Sequence, residues 1–422
     1  MLFKDLKLCR PVLKALKMCS FEQATAVQTK SIPLVLSGKN VIASAQTGTG
    51  KTAAFILPIL HRLSVKKGGR KGMPRVLVLS PTRELAQQVA EETKKFARFL
   101  NIKTCLILGG MSYHSQFRGL SGSVDIVVGT PGRLLDHLQR GSLDLSGLEI
   151  LVLDEADRML DMGFKRDVEK IINVTPTTRQ TLLFTATLDK ATSVLANSIM
   201  DSPVRIEVAR GRVTLDTITQ HIYLTDSFSH KKRLLRHMIK DSALNKALVF
   251  AATKRGAEDL ARELRKQGHR AAALHGDMSQ SARSRTMARM RAGKVRLLIA
   301  TDVAARGLDV TGITHVINFD LPQAPNDYVH RIGRTGRAGA TGTAISFACG
   351  SKDAAQLKAI ERFIGKRISR KTIKGLEPKR PLAKPISTKR SFKPGKKKKR
   401  FSFGLKDSGI GKKRTGTIRI IK

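Results

Sequence analysis

Two short runs hold the side chains most capable of chemistry. The first reads Ala45-Gln46-Thr47-Gly48-Thr49-Gly50-Lys51-Thr52. It follows an apolar run at 41–44 and precedes an apolar helical pattern over 53–63. A strand, a Gly-rich turn ending in Gly-Lys-Thr, and a helix make the context of a phosphate-cradling P-loop. The glycines let backbone N–H groups converge on phosphate oxygens, and the helix N-terminus adds a favourable dipole. Lys51 is expected to reach the β and γ phosphates, and the Thr52 hydroxyl to complete a Mg2+ shell. Ala45 stands where the strict pattern has glycine, so the assignment rests on its flanks.

The second run, Asp154-Glu155-Ala156-Asp157, ends a strand-like stretch at 149–153. Carboxylates at the C-terminal edge of a parallel strand face the crevice where ligands bind. Asp154 is expected to hold Mg2+ through water, and Glu155 to orient and deprotonate an attacking water. Alone, such an acidic run is more often a solvated helix start. Its pairing with an upstream P-loop reverses that preference.

Positioning these groups falls to short β-branched and Leu-rich runs that alternate with helical patterns. The runs lie at 41–44, 75–80, 125–128, 151–153 and 181–184, then at 218–224, 247–251, 271–274, 297–300 and 315–319. Apolar runs without strict alternation suit strands covered on both faces. Segments 83–99 and 253–267 carry apolar residues near helical spacing. The alternation predicts an α/β chain with parallel sheets built from right-handed βαβ units. At roughly 100–200 residues per domain, two domains are expected, 1–210 and 211–365, divided near Arg210-Gly211-Arg212.

The chain has 422 residues, with 78 Lys+Arg against 33 Asp+Glu and a net charge of +45. That imbalance predicts a polyanionic partner. Residues 366–422 hold 22 of the basic residues and two acids, Glu377 and Asp407, with four prolines and the run Lys396-Lys397-Lys398-Lys399-Arg400. So little apolar content does not offset ordering entropy, and a disordered basic tail is expected. No apolar run approaches the roughly 20 residues that span a bilayer, and the N-terminus lacks a secretory pattern. Four scattered cysteines make neither a CxxC pair nor metal spacing, so free thiols in a cytoplasmic setting are expected. With no Trp and 5% aromatics, a surface built on many stacking rings is excluded.

An ordered series of motifs over about residues 3–350 resembles the DEAD-box ATP-dependent RNA helicases of superfamily two. Asp154-Glu155-Ala156-Asp157 spells the family's name. The compact core with a basic tail is similar to the bacterial RhlE/SrmB-like branch. The resemblance implies two tandem RecA-like parallel-sheet domains, ATP and Mg2+ as cofactors, and RNA as partner. Phe21, Thr25 and Gln28 look like the family's Q motif, with Phe3 upstream. There Gln28 reads the adenine edge and Phe21 packs on the ring. Ala24 and Ala26 stand where the family usually has prolines. Nucleotide contacts are implied for Phe21, Gln28, Ala45, Gln46, Thr47, Gly48, Thr49, Gly50, Lys51, Thr52 and Asp309, the last on the ribose. Metal contacts are implied for Thr52 and Asp154.

RNA contacts are implied, by the same resemblance, for Pro81, Thr82 and Arg83, for Gly110 after Gly109, and for Thr130, Pro131, Gly132 and Arg133. In the second half they are implied for Gly276 and Asp277, near Arg283, and for Thr301 and Arg306. Hydroxyls, amides and guanidinium groups there grip the backbone without reading sequence. Thr185-Ala186-Thr187 stands where the family has Ser-Ala-Thr. Arg334 and Arg337, in His330-Arg331-Ile332-Gly333-Arg334-Thr335-Gly336-Arg337, look like arginine fingers acting with Lys51 and Glu155.

The implied activity is an RNA-dependent ATPase that locally unwinds or remodels short RNA duplexes as two domains close. An ATP-regulated RNA clamp or annealing factor is the alternative. A DNA-directed translocase is a third reading, opposed by the Q-motif resemblance and the DEAD spelling. The tail is expected to attach RNA in a salt-sensitive way. A monomer is expected; ribosome biogenesis on ribosomal RNA, mRNA decay and cold-induced structure removal all fit.

Overall fold

The computed structural model describes residues 1–45, 48–65, 70–208, 217–305, 310, 312–336 and 340–379. These fall in a unit spanning Met1–Pro385; a second unit, Ile386–Lys422, lies outside the described residues, and with it most of the expected basic tail.

A short 3-10 turn at Phe3–Leu6 leads into α1 (Arg10–Met18) and α2 (Ala26–Leu36). Then follow β1 (Val41–Ser44), α3 (Lys51–Val65), β2 (Val76–Leu79), α4 (Arg83–Phe96), β3 (Thr104–Ile107), α5 (Tyr113–Leu120) and β4 (Ile126–Gly129). The first domain ends with α6 (Pro131–Gln139), β5 (Ile150–Asp154), α7 (Ala156–Asp161), α8 (Lys165–Asn173), β6 (Gln180–Thr185), α9 (Lys190–Ile199) and β7 (Val204–Glu207). The second runs through β8 (Ile218–Thr225), α10 (Phe228–Met238), β9 (Ala247–Phe250), α11 (Lys254–Lys266), β10 (Ala271–Leu274), α12 (Gln280–Arg291) and β11 (Leu297–Ala300). It closes with α13 (Asp302–Ala305), β12 (His315–Asn318), α14 (Pro325–Ile332), β13 (Gly342–Cys349), α15 (Gly350–Ile364) and β14 (Ser369–Lys371).

Among the described residues, each domain wraps a seven-stranded parallel sheet, ordered β3-β4-β2-β5-β6-β1-β7 and β10-β11-β9-β12-β13-β8-β14. Numbered within each domain, both orders are 3-4-2-5-6-1-7, so the halves share one topology. Successive strand residues feed opposite cores. Val76, Val78, Ile150 and Val152 join one cluster, while Leu77, Leu79, Leu151 and Leu153 join another. That is why these strands read as unbroken apolar runs: helices cover both faces. The expected strands are all present. Four more were missed, at β3, β7, β13 and β14. β7 is an edge strand with only Ile206 buried, and β14 is three exposed polar residues, so neither carries an apolar signal.

The expected boundary at 365/366 is corrected. β14 pairs in parallel with β8, Ile368 is buried, and Ile373 and Leu376 pack against the second domain's core. His230 Nε2 lies 3.0 Å from the Leu376 carbonyl oxygen, and the Lys379 amide donates to Asp226 Oδ2 at 2.9 Å. The second domain therefore reaches at least Lys379. The expected interdomain cut at 210–212 lies outside the described residues, between β7 and β8.

Candidate functional site

Loops at the C-terminal ends of β1, β5 and β6, which are neighbours in the sheet, bring the P-loop and the acidic run together. Gly48 and Gly50 have φ of +86° and +84°, a region L-residues rarely adopt. A Cβ at Gly50 would also collide with the Gln28 amide. Gln28, buried in α2, donates from Nε2 to the Gly50 carbonyl at 3.1 Å and accepts from the Thr25 amide at 2.9 Å. Thr25 Oγ1 donates to the Thr49 carbonyl at 2.8 Å. Thr25 and Gln28 thus buttress the Gly-rich turn, and the Gln28 amide retains one donor and one acceptor not used in these bonds. Phe21 is exposed beside Phe96, 6.0 Å between centroids, with a face open for stacking. Gln46 and Thr47 lie outside the described residues.

Lys51 opens α3 and is buried, its Nζ donating to the Ala45 carbonyl at 2.7 Å. Burial lowers its pKa, although Glu155, Asp154 and Asp157 oppose that. Asp154, the last residue of β5, is pushed up to about 7 by burial and by Glu155. Glu155 caps α7 at φ +52°, a strained conformation for a residue with a side chain, worth about 1–3 kcal/mol. Burial would raise its pKa, but Arg158, Lys51, Arg334 and His330 together hold it low. Arg158 Nη1 lies 2.9 Å from Glu155 Oε2, yet the angles leave that oxygen and both Arg158 Nη atoms without a directed hydrogen bond. A buried cation, a carboxylate oxygen and an ammonium group with unused capacity fit a ligand bearing phosphates and an attacking water.

For Mg2+, the donor set is the half-buried Thr52 hydroxyl and the Asp154 carboxyl. Hard oxygen donors with one carboxylate, completed by phosphate and water, suit that ion.

Asp157 Oδ2 accepts from the Thr187 amide at 2.8 Å and from Thr187 Oγ1 at 2.9 Å, and Thr185 Oγ1 donates to the Thr187 carbonyl at 2.7 Å. The acidic run and the β6 loop are therefore one hydrogen-bonded unit.

The other half of this sheet edge, at β3-β4-β2, gathers the remaining first-domain candidates. Pro81 and Thr82 are buried; Thr82 Oγ1 caps α4 by accepting from the Leu85 amide at 3.3 Å. A Cβ at Gly110 (φ +71°) would collide with the Arg83 guanidinium, which lies beneath the Gly109-Gly110 turn. Thr130 and Pro131 begin α6, with Gly132 exposed. Arg133 departs from expectation: its side chain is only 10% exposed and stacks on Tyr113.

In the second domain, Gly276 and Asp277 are exposed after β10, with Asp277 Oδ1 2.6 Å from Lys254 Nζ, and Thr301 is buried after β11. Arg331 is a buried keystone. It makes a bidentate pair with Asp302 at 2.6 and 2.7 Å and donates to Asn318 Oδ1 and the Asp320 carbonyl. Arg334 is buried and acts on Glu155 across the domain seam. Arg306, Asp309 and Arg337 lie outside the described residues. Arg283, grouped with RNA contacts by its position in the sequence, instead donates from Nε to Glu84 Oε1 of the first domain at 2.8 Å, and from Nη1 to the His275 carbonyl. Sequence reasoning gave no role to Arg158, His330, Arg331 or Glu84. Only Arg158, one helical turn after Glu155, had a spacing that hinted at its partner.

Among the described residues no helix is long and apolar enough to cross a membrane. The DEAD/DEAH box helicase family model matches residues 25–194, and the helicase conserved C-terminal domain model matches residues 230–339. The chain is 44% identical over 368 residues to the DEAD-box ATP-dependent RNA helicase CshA of Geobacillus kaustophilus, covering 87% of this chain and 78% of that one. It is 41% identical over 378 residues to the ATP-dependent RNA helicase SrmB of Haemophilus influenzae, covering 89% and 86%. Among solved structures it is similar to S. cerevisiae Dbp5 bound to RNA and ADP BeF3, with a TM-score of 0.80, 34% identity, and coverage of 87% and 95%.

Proposed function

This chain belongs to the DEAD-box family of ATP-dependent RNA helicases, and we propose that it hydrolyses ATP in a site completed only when RNA draws its two domains together. The observation that carries this reading is the environment of Glu155. Its carboxylate belongs to the first domain, yet the Arg334 guanidinium of the second helps to hold it ionised. A base that must stay deprotonated depends on a charge the other domain supplies. The Arg283–Glu84 pair spans the same seam. Likeness to the RNA- and nucleotide-bound yeast protein supports this arrangement as the closed one.

In the closed site Lys51 and the 48–50 turn cradle the phosphates, and Gln28 and Phe21 take the adenine. Glu155 orients water for in-line attack and accepts its proton. Arg334 faces the charge that develops on the phosphoryl oxygens; Arg337 is expected to do the same. Thr52 and Asp154 would hold Mg2+, which supplies charge neutralisation at the phosphates. Gly110, Gly132 and Gly276 offer exposed backbone at the sheet edges for a phosphodiester chain, a grip that reads no sequence. Closing on one strand that cannot stay paired would separate a short duplex.

Glu155→Gln tests the reading. It keeps the shape and removes the base, so turnover with saturating RNA should fall at least ~100-fold, the usual contribution of a general base. Nucleotide and RNA binding should persist. Wild-type turnover in this variant, or equal turnover without RNA in the parent, would sink the proposal. The enzyme reading expects unwinding to be lost in the variant; strand annealing that persists there as the protein's main action on RNA would favour the clamp reading.

A further inference from the structure

Arg133 sits among candidate RNA contacts, but its surroundings describe a different task. Its guanidinium carbon lies 3.9 Å from the centroid of the Tyr113 ring. Nη1 donates to the Met111 carbonyl at 3.1 Å, at the far side of the Gly109-Gly110 turn. Tyr113 Oη donates to Asp136 Oδ2 at 2.8 Å, one helical turn beyond Arg133 on α6. Asp136 Oδ2 is in turn 3.7 Å from Arg133 Nε. Exposed Arg140, two turns along the same helix, lies 4.8 Å from the same ring. The turn is closed from within by buried Gln116, which accepts from the Leu108 amide and donates to the Leu108 carbonyl, each at 3.1 Å.

We propose that Tyr113 is a positioning residue for RNA: its ring locks Arg133 so that the 108–112 turn and the start of α6 present their backbone amides at one fixed spacing. This rests on the RNA-dependent reading above. The physical reason is that an arginine carries much rotamer freedom, and a stacked plane removes it before RNA arrives. Two loops that follow β3 and β4, adjacent in the sheet, are tied above the strands by this stacked pair, beside the Phe117–His137 ring contact at 5.2 Å. The phenol adds a second tie through Asp136, so the ring cannot swing aside. Tyr113 need not touch RNA for this.

The experiment measures RNA-stimulated ATP turnover across a range of single-stranded RNA concentrations, in the full chain, with nucleotide KM and thermal midpoint alongside. Tyr113→Leu should raise the RNA concentration for half-maximal turnover about five- to tenfold, the range expected for a lost cation–π anchor. Saturating turnover should change less than twofold, with nucleotide KM and thermal midpoint unchanged. Tyr113→Phe keeps the ring beneath the arginines and should restore most of the affinity. Arg133→Lys, which keeps the charge and loses the planar fork, should raise the RNA concentration for half-maximal turnover by a similar factor. An RNA response in Tyr113→Leu within twofold of the parent overturns the proposal. So does a parallel fall in turnover and thermal midpoint in both tyrosine variants, which marks a packing role alone. A parent protein indifferent to RNA overturns the RNA reading itself, and is distinguishable because no variant is needed to see it.

Discussion

His330 reaches the acidic run from the opposite domain, and its chemistry would make the proposed closure sensitive to pH. Burial, then Arg158, drives its pKa down to about 4; Asp157 and Glu155 pull the other way and Arg334 adds to the depression. In water an imidazole titrates near ~6.5. The proton therefore binds better with the domains apart, and acid favours the open form. Closure should be undiminished above about pH 7 and weaken as pH falls through 6.5 toward 4. A distance reporter across the domains, with RNA and a nonhydrolysable nucleotide, should show this loss in the parent and a flatter profile in His330→Gln. An unchanged profile in the variant would assign the effect elsewhere. The placement of Lys51, Thr52 and Glu155 at the ends of β1 and β5 was legible from sequence because it follows from a few contiguous residues. Arg158 and His330 were not, because what defines them is a shared buried volume built from distant segments.

At the scale of elements, α4 and α12 meet across the seam through Glu84 and Arg283, both largely buried. Removing one partner leaves the other charge desolvated, a loss of about 3–5 kcal/mol when a buried pair is broken. Arg283→Met should therefore weaken the coupling between ATP and RNA binding by at least tenfold while leaving each domain folded. The exchange Glu84→Arg with Arg283→Glu should recover part of it. Coupling measured as nucleotide affinity with and without RNA decides the matter. Elements differ in how plainly the sequence announces them. Val76–Leu79 and Leu297–Ala300 are buried on both faces, so every residue is apolar. Val204–Glu207 and Ser369–Lys371 lie at sheet edges, where pairing comes from backbone and one face is wet. Their side chains are free to be polar, and composition carries no trace of the strand. The stacking partner of Arg133 was hidden for a related reason: Tyr113 lies 20 positions away, and only the adjacency of β3 and β4 brings them together.

For the whole molecule, the corrected end of the second domain changes what a truncation does. A chain ending at Gly365 loses β14, the buried Ile368, and the Ile373 and Leu376 contacts. Burial of one such side chain is worth about 1.5–3 kcal/mol, so the midpoint of thermal unfolding should fall by several degrees, at roughly 2–4 °C per kcal/mol for a domain of this size. A chain ending at Pro385 should melt like the parent. It should also bind RNA more weakly and with a shallower dependence on salt, at near-normal saturating turnover. Equal melting of all three would mean the terminal segment adds nothing to the fold. The shared 3-4-2-5-6-1-7 order was implied by the family resemblance, through two RecA-like domains, and not by composition. Similar topology needs only similar patterns of burial, and the two halves meet that need with different residues.

The fastening of this segment has a mechanical side. Among the described residues, tension arriving from the C-terminal side meets the Lys379 amide on Asp226 first, then the Leu376 carbonyl against His230, and then the rungs of β14. The load is borne in sequence by small anchors at the sheet's rim, well short of the seam. A bound strand tugging there would strip the hem before it disturbed the engine.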